Sequence, residues 1–317
     1  MDKFRIYLNY ASSISSKSKI SIIYDILKSS YHYNISVLDY FYFRFFEKNI
    51  EEREKWAGTG FMYEYQLKMN PKKSRSILEN KIEFLEAYSD FIIRKWTTIQ
   101  STTPDHINKI LNNAFGKVVA KGSTGQVGAE VHVLESVKYN STTLKQFMVE
   151  NNLDLLEECV MQHSELMRLS PSGLNTVRVF TQLNAENEVI ILGARLRVTV
   201  NSAIDNLAAG NFACVIDAET GLVVSDGVYS DITKEDVIRH PVTGVEIKGF
   251  KVPKWHEVLH MVKSAALLHP VNRSIGWDIA IRDHGIELIE GNHNWCKLLY
   301  QLPLKQGLKN DLLPYVK

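Results

Sequence analysis

The stretch Trp277-Asp-Ile-Ala-Ile-Arg-Asp-His-Gly-Ile-Glu-Leu-Ile-Glu-Gly-Asn292 decides the fold of the carboxyl-terminal part of this chain. Its two arms are rich in β-forming residues, and they flank Asp283-His-Gly285, a turn with glycine where a positive φ is needed. The pattern therefore predicts a β-hairpin. With residues 282 and 286 closing the turn, Asp278 lies directly opposite Glu290, and opposed residues of an antiparallel pair share one face.

The shared face of this hairpin is a candidate metal site. Two carboxylates with Cβ atoms roughly 5 Å apart repel each other unless a positive group lies between them. Asn292, two residues beyond Glu290, falls on the same face and adds a third oxygen. Together Asp278, Glu290 and Asn292 offer hard oxygen ligands, which suit Mg²⁺ or Mn²⁺ rather than zinc. The alternative is a solvated strand face carrying ordinary acids, which the surrounding Trp, Ile, Ala and Leu residues disfavour.

The composition indicates a globular protein of two or three packed units. The chain has 317 residues, of which 45% are hydrophobic and 23% charged. Its three cysteines, Cys159, Cys214 and Cys296, are far apart and have no metal-type spacing, which fits a reducing compartment. No run approaches the ~18 apolar residues of a membrane helix, and the amino terminus opens no secretory signal. We therefore expect a soluble, cytoplasmic protein with no transmembrane segment.

Charge is distributed unevenly along the sequence. Residues 1–121 carry 19 Lys and Arg against 13 Asp and Glu, whereas the remainder carries 18 against 23. A basic part facing an acidic part suits an anion that a metal bridges to protein carboxylates, although balances this small also arise by coincidence. The basic turn at 70–75 lies outside any nucleic-acid motif, so we expect no nucleic-acid partner.

Hydrophobic periodicity divides the chain into three parts. Residues 18–100 have apolar residues mainly at helical spacing. The aromatic run at 40–46 within them is either a docking surface or, as is more common, buried under its own domain. After Pro104 short strands alternate with helices, and from 175 onward the pattern is strand-rich. We predict an α+β fold with a helical region at 1–75, a part with a glycine-rich loop at 76–165 and a metal-binding part at 166–317.

A glycine-rich loop, Gly122-Ser-Thr-Gly-Gln-Val-Gly128, separates two predicted strands. Because no helix follows it directly, the loop matches neither the P-loop nor the dinucleotide fingerprint. A glycine-rich hairpin instead exposes backbone N–H groups as a flexible cover over phosphates, with Gly122, Ser123 and Gly125 as candidate contacts. Lys121, immediately before the loop, is placed to bring its ammonium group to the same phosphates.

Further candidate residues follow in a fixed order. That order is Lys121 with its loop, Glu157-Glu-Cys-Val160, Asn175, Arg178, Arg195, Arg197 and then the hairpin. Arg195 and Arg197 are two apart on one predicted strand, so both guanidinium groups face the same side. Phosphoryl chemistry needs such parts: a cover loop, cations that offset developing charge, and carboxylates that hold a metal.

The chain resembles the ATP-grasp superfamily in Lys121 with its loop, in Glu157-Glu-Cys-Val160 and in the Asp278…Glu290-Gly-Asn292 pattern. It is more closely similar to the sugar-transfer-associated bacterial branch, as judged from Gln162-His163, Asn175-Thr-Val-Arg178, the segment 195–206 and Glu290-Gly-Asn292. The resemblance covers about residues 75–300. It implies an ATP-grasp fold, in which two α+β subdomains clasp ATP. The helical first hundred residues stand where the superfamily usually has a small α/β domain.

The resemblance also implies which residues contact the nucleotide. Lys121 would bind phosphate, and the earlier Lys81 would approach the nucleotide from the other side. The backbone from Glu158 to Val160 would bind adenine. His163 and Glu165, just after that segment, would lie near the ribose.

The activity that the resemblance implies is an ATP-dependent carboxylate–amine ligase that uses magnesium. Arg178 and Arg197 would face the γ-phosphate or an acyl-phosphate, with Arg195 on the same side. The substrates would be a small-molecule carboxylate and an amine, such as a sugar acid or amino acid in surface-polysaccharide assembly. Two alternatives stay open: kinase-type phosphoryl transfer to a small molecule, and a non-catalytic nucleotide-binding partner of a glycosyltransferase. The sequence leaves the oligomeric state open.

Overall fold

The first part of the chain is helical, as its periodicity predicted. The computed structural model describes residues 3–124, 131–202 and 206–316. The helices before the first strand are α1 (Lys3–Ser15), α2 (Lys19–Tyr33), α3 (Val37–Tyr42), α4 (Ile50–Glu54), α5 (Thr59–Met69), α6 (Ser76–Glu79) and α7 (Lys81–Ala87). Ser36 and Asn49 begin α3 and α4 with capping boxes, which satisfy backbone N–H groups at the helix starts.

The aromatic run at 40–46 is buried rather than displayed as a docking surface. Tyr40, Phe41, Phe43, Phe45 and Phe46 are each at most 1% exposed. They pack with apolar residues of α1 and α2 in one core, where several ring pairs meet edge to face. The run therefore holds the amino-terminal helices together.

A four-stranded antiparallel sheet follows these helices. Its strands are β1 (Trp96–Thr98), β2 (Lys117–Lys121), β3 (Val131–Glu135) and β4 (Leu155–Glu158), in the order β1-β4-β2-β3. Helices α8 (Pro104–Leu111) and α9 (Ser141–Glu150) share a core with the strands, which Val118 and Ala120 enter from β2. The predicted strand pair on either side of the glycine-rich loop is present as β2 and β3.

A second antiparallel sheet of six strands forms the carboxyl-terminal part. Its strands are β5 (Val177–Leu183), β6 (Val189–Val198), β7 (Phe212–Ile216), β8 (Val228–Tyr229), β9 (Ser274–Ile281) and β10 (Ile286–Asn292), in the order β10-β9-β5-β6-β7-β8. The accompanying helices are α10 (Ser164–Leu169), α11 (Trp255–Leu268), α12 (Lys297–Gln301) and α13 (Lys309–Val316). Two sheets with segregated helices make the α+β class that the sequence predicted.

Side-chain alternation gives the second sheet one apolar and one polar face. Val177 and Val179 of β5 pack in a core with α11, as does Trp277 of β9. The intervening residues, Arg178 and Asp278, therefore point to the opposite face. That face is where the candidate site lies.

The hairpin that decides the fold is present, but its strand register next to the turn differs from the prediction. Ile281, not Arg282, is the Cα partner of Ile286, so the arms next to the turn are one residue out of the predicted register. A β-bulge between Leu288 and Glu290 adds one residue to β10 and restores the pairing of Asp278 with Glu290. The predicted juxtaposition of the two acids is therefore correct, although the predicted turn closure is wrong.

The described residues contain no helix that is both long enough and apolar enough to span a membrane. The division of the chain at 75 and 165 stays a prediction. The amino-terminal helices make extensive contacts with the carboxyl-terminal part. For example, Ala57 exchanges backbone hydrogen bonds with the Gln301 side-chain amide.

Candidate active site

A cavity of about 590 Å³ lies between the two sheets. Strands β2 and β4 of the first sheet form one wall, and strands β5, β6, β9 and β10 of the second form another. Helices α6 and α7 also contribute to its lining. A cavity of this size is in the range that accommodates a nucleotide-sized ligand.

The polar face of the second sheet carries a row of charged residues. The strand register places Glu290 beside Asp278, Asp278 beside Arg178, and Arg178 beside Arg195. The row thus runs across four neighbouring strands, with two acids followed by two arginines. The Cβ atoms of such neighbours lie roughly 5 Å apart, so each charged group affects the pKa of the next.

Asp278 is held by two arginines. Arg178 donates from Nε and Nη2, at 2.5 and 2.7 Å, and Arg197 donates from Nη1 to the Asp278 Oδ2 atom at 2.7 Å. Although burial raises it, Arg178 and Arg197 hold the pKa of Asp278 well below its ordinary value. Asp278 is therefore an ionised, charge-compensated carboxylate. Both arginines line the cavity, and their contact with a phosphoryl group stays a prediction.

The pKa of Glu290 is shifted in the opposite direction from that of Asp278. Burial raises the pKa of Glu290, and the neighbouring Asp278 carboxylate raises it further. Asn292 donates a hydrogen bond from Nδ2 to Glu290 Oε1 at 3.1 Å, so the amide and the carboxylate are adjacent. All three residues line the cavity. A cation here would offset the repulsion between the two acids.

The donor set at this position fits a hard divalent cation. Within the described parts of the chain, no three His, Cys, Asp and Glu side chains gather to hold a metal ion. A cation at the hairpin would therefore need the Asn292 amide oxygen in addition to the two carboxylates. Oxygen-only sets of this kind suit Mg²⁺ or Mn²⁺.

Two lysines approach the cavity from the side opposite the hairpin. Lys121, on β2, forms an ion pair with the buried carboxylate of Glu157. Lys81 begins α7, and its backbone N–H donates to the Ser123 carbonyl at 2.9 Å. Burial and the nearby Lys121 cation lower the pKa of Lys81. Both lysines line the cavity, so two cations meet there, and the buried Glu157 carboxylate pairs with one of them.

The segment from Glu158 to Val160 also lines the cavity. The Glu158 side chain turns toward Lys95, with 3.1 Å between the Lys95 Nζ and Glu158 Oε1 atoms. Among the described residues, the Val160 N–H donates to no acceptor. The apolar side chains of Val119, Val131 and Ile289 line the same cavity. The segment thus offers a backbone donor next to an apolar slot, which is what a planar heterocycle needs.

Comparison with known proteins identifies the family of the chain. A family model described as sugar-transfer-associated ATP-grasp matches residues 61–315, most of the chain. The chain belongs to this family. It therefore has the ATP-grasp fold that the motifs suggested.

Solved structures with the same fold are distant from this ATP-grasp chain. A D-alanyl-alanine synthetase A from Vibrio cholerae is 13% identical, with a TM-score of 0.44 over 76% of this chain and 67% of that one. An N5-carboxyaminoimidazole ribonucleotide synthetase complexed with ADP is 11% identical, with a TM-score of 0.42 over 69% of this chain. The D-cycloserine synthetase DcsG is 9% identical, with a TM-score of 0.43 over 77% of this chain and 73% of that one.

The matched region spans only 45% of the ribonucleotide synthetase. No curated protein sequence matches the chain significantly.

Five predicted site residues of this ATP-grasp chain lie outside the cavity lining, and Arg195, His163 and Glu165 are three of them. The Arg195 guanidinium donates to the Tyr300 carbonyl and lies against the Phe180 and Tyr300 rings, although Arg195 shares a sheet face with Arg197. His163 caps α10 by accepting from the Glu165 N–H at 3.1 Å. Glu165 pairs with Arg168 at the surface. The expected roles of Arg195 at the reacting phosphate, and of His163 and Glu165 at the ribose, therefore have no support from the geometry.

The start of the glycine-rich loop is anchored rather than open. Gly122 is buried, and Ser123 donates to the Asp154 carboxylate from its backbone N–H at 2.6 Å and from Oγ at 2.5 Å. Neither residue lines the cavity, and their contacts with phosphate stay a prediction. Gly125 lies outside the described residues.

The structure reveals a buried ion network that the sequence analysis missed. Arg94 donates from Nε to Glu157 at 2.9 Å and from Nη1 to Glu287 at 2.9 Å. Glu157 belongs to the first sheet and Glu287 to the second, so Arg94 joins the two. Although burial raises it, Arg94 and Lys121 lower the pKa of Glu157 to about 2. The network thus ends at the phosphate-binding candidate Lys121.

The amino-terminal helices also support the site. Asn70 donates from Nδ2 to the His293 carbonyl at 2.9 Å, and Gln66 donates from Nε2 to the Trp295 carbonyl at 2.8 Å. These carbonyls belong to the segment directly after Asn292. The helical region therefore orients the end of the strand that carries the candidate ligands, although neither polar residue belongs to a motif.

Replacing Lys121 with methionine is expected to raise the KM for ATP about 10- to 100-fold, because a charged hydrogen bond contributes about 1.5–3 kcal/mol. Methionine keeps the length and apolar stem of lysine, and Arg94 still compensates Glu157. Initial rates at varied ATP, together with calorimetric titration of a non-hydrolysable ATP analogue, measure the change. Lys138→Met, at a lysine whose side chain is 67% exposed and outside the cavity lining, is the matched control. An unchanged KM for Lys121→Met would remove this lysine from the phosphate site.

Proposed function

We propose that this ATP-grasp protein is an ATP-dependent carboxylate–amine ligase that forms an amide through an acyl-phosphate. The observation that carries the proposal is the arrangement of charge around one cavity. Two lysines on one side face two carboxylates, one amide and two arginines on the other. Oxygen ligands opposite cations suit a triphosphate that a metal joins to the protein.

The nucleotide would lie along the cavity from the first sheet to the hairpin. Adenine would enter the apolar slot beside Val119 and Ile289, where the Val160 N–H would donate to a ring nitrogen. The phosphates would then reach Lys81 and Lys121, whose combined charge offsets theirs. Burial, and after it the neighbouring Lys121 cation, lower the pKa of Lys81, and an anionic ligand beside the two lysines would oppose both effects.

Asp278, Glu290 and Asn292 would hold Mg²⁺ or Mn²⁺ at the hairpin. When bound, such a cation offsets the negative charge on phosphate oxygens during transfer. Arg178 and Arg197 keep Asp278 ionised, and because they donate to both of its oxygen atoms, a cation would share those atoms with the guanidinium groups. The same guanidinium groups lie at the cavity wall, next to the position where a transferred phosphoryl group would be.

The chemistry follows from the weakness of a carboxylate as an electrophile. An oxygen of the substrate carboxylate would attack the γ-phosphorus of ATP, and the bond to the β-phosphate oxygen would break, leaving ADP and an acyl-phosphate. The amine nitrogen would then attack the acyl carbon. Phosphate would leave, the amine would lose a proton, and an amide would result. Fixed positive charge near the phosphoryl group lowers the barrier to the first step.

The family description supports a substrate connected with sugar transfer. We propose a sugar acid or an amino acid that is used in surface-polysaccharide assembly, in the cytoplasm. Kinase-type transfer to a hydroxyl group is the second candidate, because the same constellation favours phosphoryl transfer with or without a following amine.

The test is an incubation of the purified chain with ATP, Mg²⁺ and pooled amino acids and uronic acids, with phosphate and ADP measured over time. Phosphate release that needs both an acid and an amine supports ligation. Transfer to a hydroxyl compound alone supports the kinase function and contradicts ligation. Tight ATP binding without turnover in any pool would contradict both and favour a non-catalytic nucleotide-binding role.

A further inference from the structure

Helix α2 exposes an apolar face that the amino-terminal core leaves uncovered. Its inner face packs into that core through Ile22 and Ile26, which are at most 3% exposed. On its outer face Ile20 is 82% exposed, Tyr24 71%, Leu27 65% and Tyr31 93%. A helix of a folded domain is normally apolar only on the face that packs against the core. The second apolar face of α2 is therefore not explained by packing onto its own core.

The outer residues follow the spacing of a helix–helix seam. Ile20, Tyr24, Leu27 and Tyr31 are separated by four, three and four positions, which is the heptad spacing of the residues that pair two helices. Ile23 is 40% exposed and widens the same stripe. This spacing suits another helix as the occupant, because side chains at heptad positions interdigitate with those of a partner helix. A helix on a lipid surface would carry a polar face rich in Lys and Arg opposite the stripe, whereas the opposite face of α2 packs in the core through Ile22 and Ile26.

We propose that this face pairs with the same face of a second copy of the chain, with the two α2 helices antiparallel. A two-fold axis between positions 25 and 26 places Ile20 against Tyr31 of the second copy, and Tyr24 against Leu27 of the second copy. Each layer then combines one large aromatic with one aliphatic side chain. A parallel pair would instead oppose tyrosine to tyrosine and isoleucine to isoleucine.

The charges and the area are compatible with this pairing. The one charged residue that borders the seam on its outer side is Lys28, and the antiparallel register brings it near Ser21 of the second copy rather than near another lysine. The five apolar side chains expose on the order of 600 Å² on each copy. Two copies would bury on the order of 1,200 Å², the lower limit for a specific interface.

Formation of this dimer costs little conformational entropy, because α2 is already an ordered helix in the single chain. The α2 helix is already fixed by its inner face, by the Ser18 cap and by Asn34 in the left-handed conformation at its end. Association therefore does not need to nucleate a helix, which is the step that makes short isolated seams weak. The surface is remote from the cavity residues, so the proposal is independent of the proposed function.

Sedimentation velocity and light scattering over a range of concentrations test the dimer. The wild type is expected at twice 36.2 kDa, with dissociation on dilution. Leu27→Glu is expected to weaken association about 100-fold or more, because it places one unpaired carboxylate from each copy in an apolar seam. The matched control is Leu267→Glu, at a helical leucine that is 50% exposed on α11, and it should remain dimeric. Circular dichroism checks that both variants keep their helices.

Disulfide trapping tests the orientation. A tagged Tyr24→Cys chain is mixed with an untagged Leu27→Cys chain, and wild type gives the background from native cysteines. The mixed pair is expected to cross-link more efficiently than either like pair. A monomeric wild type at all concentrations would overturn the proposal, as would binding to anionic vesicles by a monomer. Preferential joining of like variants would contradict the antiparallel pairing.

Discussion

Replacing Glu290 with glutamine is expected to lower the rate of ADP formation by about three orders of magnitude, or about 4 kcal/mol in activation free energy. The substitution removes one negative charge from the proposed cation site but preserves the shape of the side chain. An amide can still accept the hydrogen bond from Asn292 Nδ2. Burial and Asp278 already raise the pKa of Glu290, so a neutral group at this buried position does not weaken the fold.

The measurement is initial-rate kinetics in the wild type and Glu290→Gln at several Mg²⁺ and Mn²⁺ concentrations, with the melting temperature recorded for each protein. Glu257→Gln on α11 is the matched control, since that side chain is 55% exposed and lies on the far side of the second sheet from the cavity. It should behave as the wild type. Undiminished turnover in Glu290→Gln, at an unchanged melting temperature, would contradict the metal assignment.

The hairpin shows why the core of the site was predictable. Alternation and the glycine turn confine Asp278, Glu290 and Asn292 to one face, and strand pairing brings them together whatever the rest of the chain does. The turn closure was nevertheless wrong by one residue. A bulge at Leu288/Glu290 compensates, and a single sequence carries no clear signal for a bulge without glycine at that position.

The same rules explain on which face of the sheet the arginines lie. Strand alternation places Arg195 and Arg197 on one face, and both are there. Their guanidinium groups nevertheless reach different acceptors. Arg197, together with Arg178, donates to the Asp278 carboxylate. Arg195 lies beneath α12 and donates to the Tyr300 carbonyl. The acceptor that a long side chain reaches depends on how distant segments pack. The alternation of residues along one strand predicts the face of the sheet but not this acceptor.

The amino-terminal helices illustrate a further limit. Helical spacing predicted their existence, but not that Gln66 and Asn70 would hold the backbone that follows Asn292. Both are ordinary polar residues separated from that backbone by more than two hundred positions. Their function as supports arises only from tertiary contact. Arg94 is a similar case, because a lone arginine before a short strand has no distinguishing spacing.

Replacing Arg94 with methionine is expected to lower the free energy of unfolding by about 3 kcal/mol or more, the usual effect of removing one partner of a buried ion pair. Arg94 is 4% exposed, and its partners Glu157 and Glu287 are 3% and 0% exposed. Methionine fills much of the same volume, so the loss comes from the uncompensated acids and not from a cavity. Urea unfolding followed by circular dichroism measures it.

Two further variants test whether the stability loss in Arg94→Met comes from the buried ion network or from the loss of a positive charge as such. Arg239→Met removes one partner of the exposed Arg239–Glu246 pair, whose N–O distance is 3.1 Å, and should cost less than 1 kcal/mol. Adding Glu287→Gln to Arg94→Met should recover part of the lost stability, since one buried negative charge then disappears. Arg282 also contacts Glu287, at 3.0 Å, so the recovery should be partial. Equal losses in Arg94→Met and Arg239→Met would show that the link between the sheets contributes no more than a surface pair.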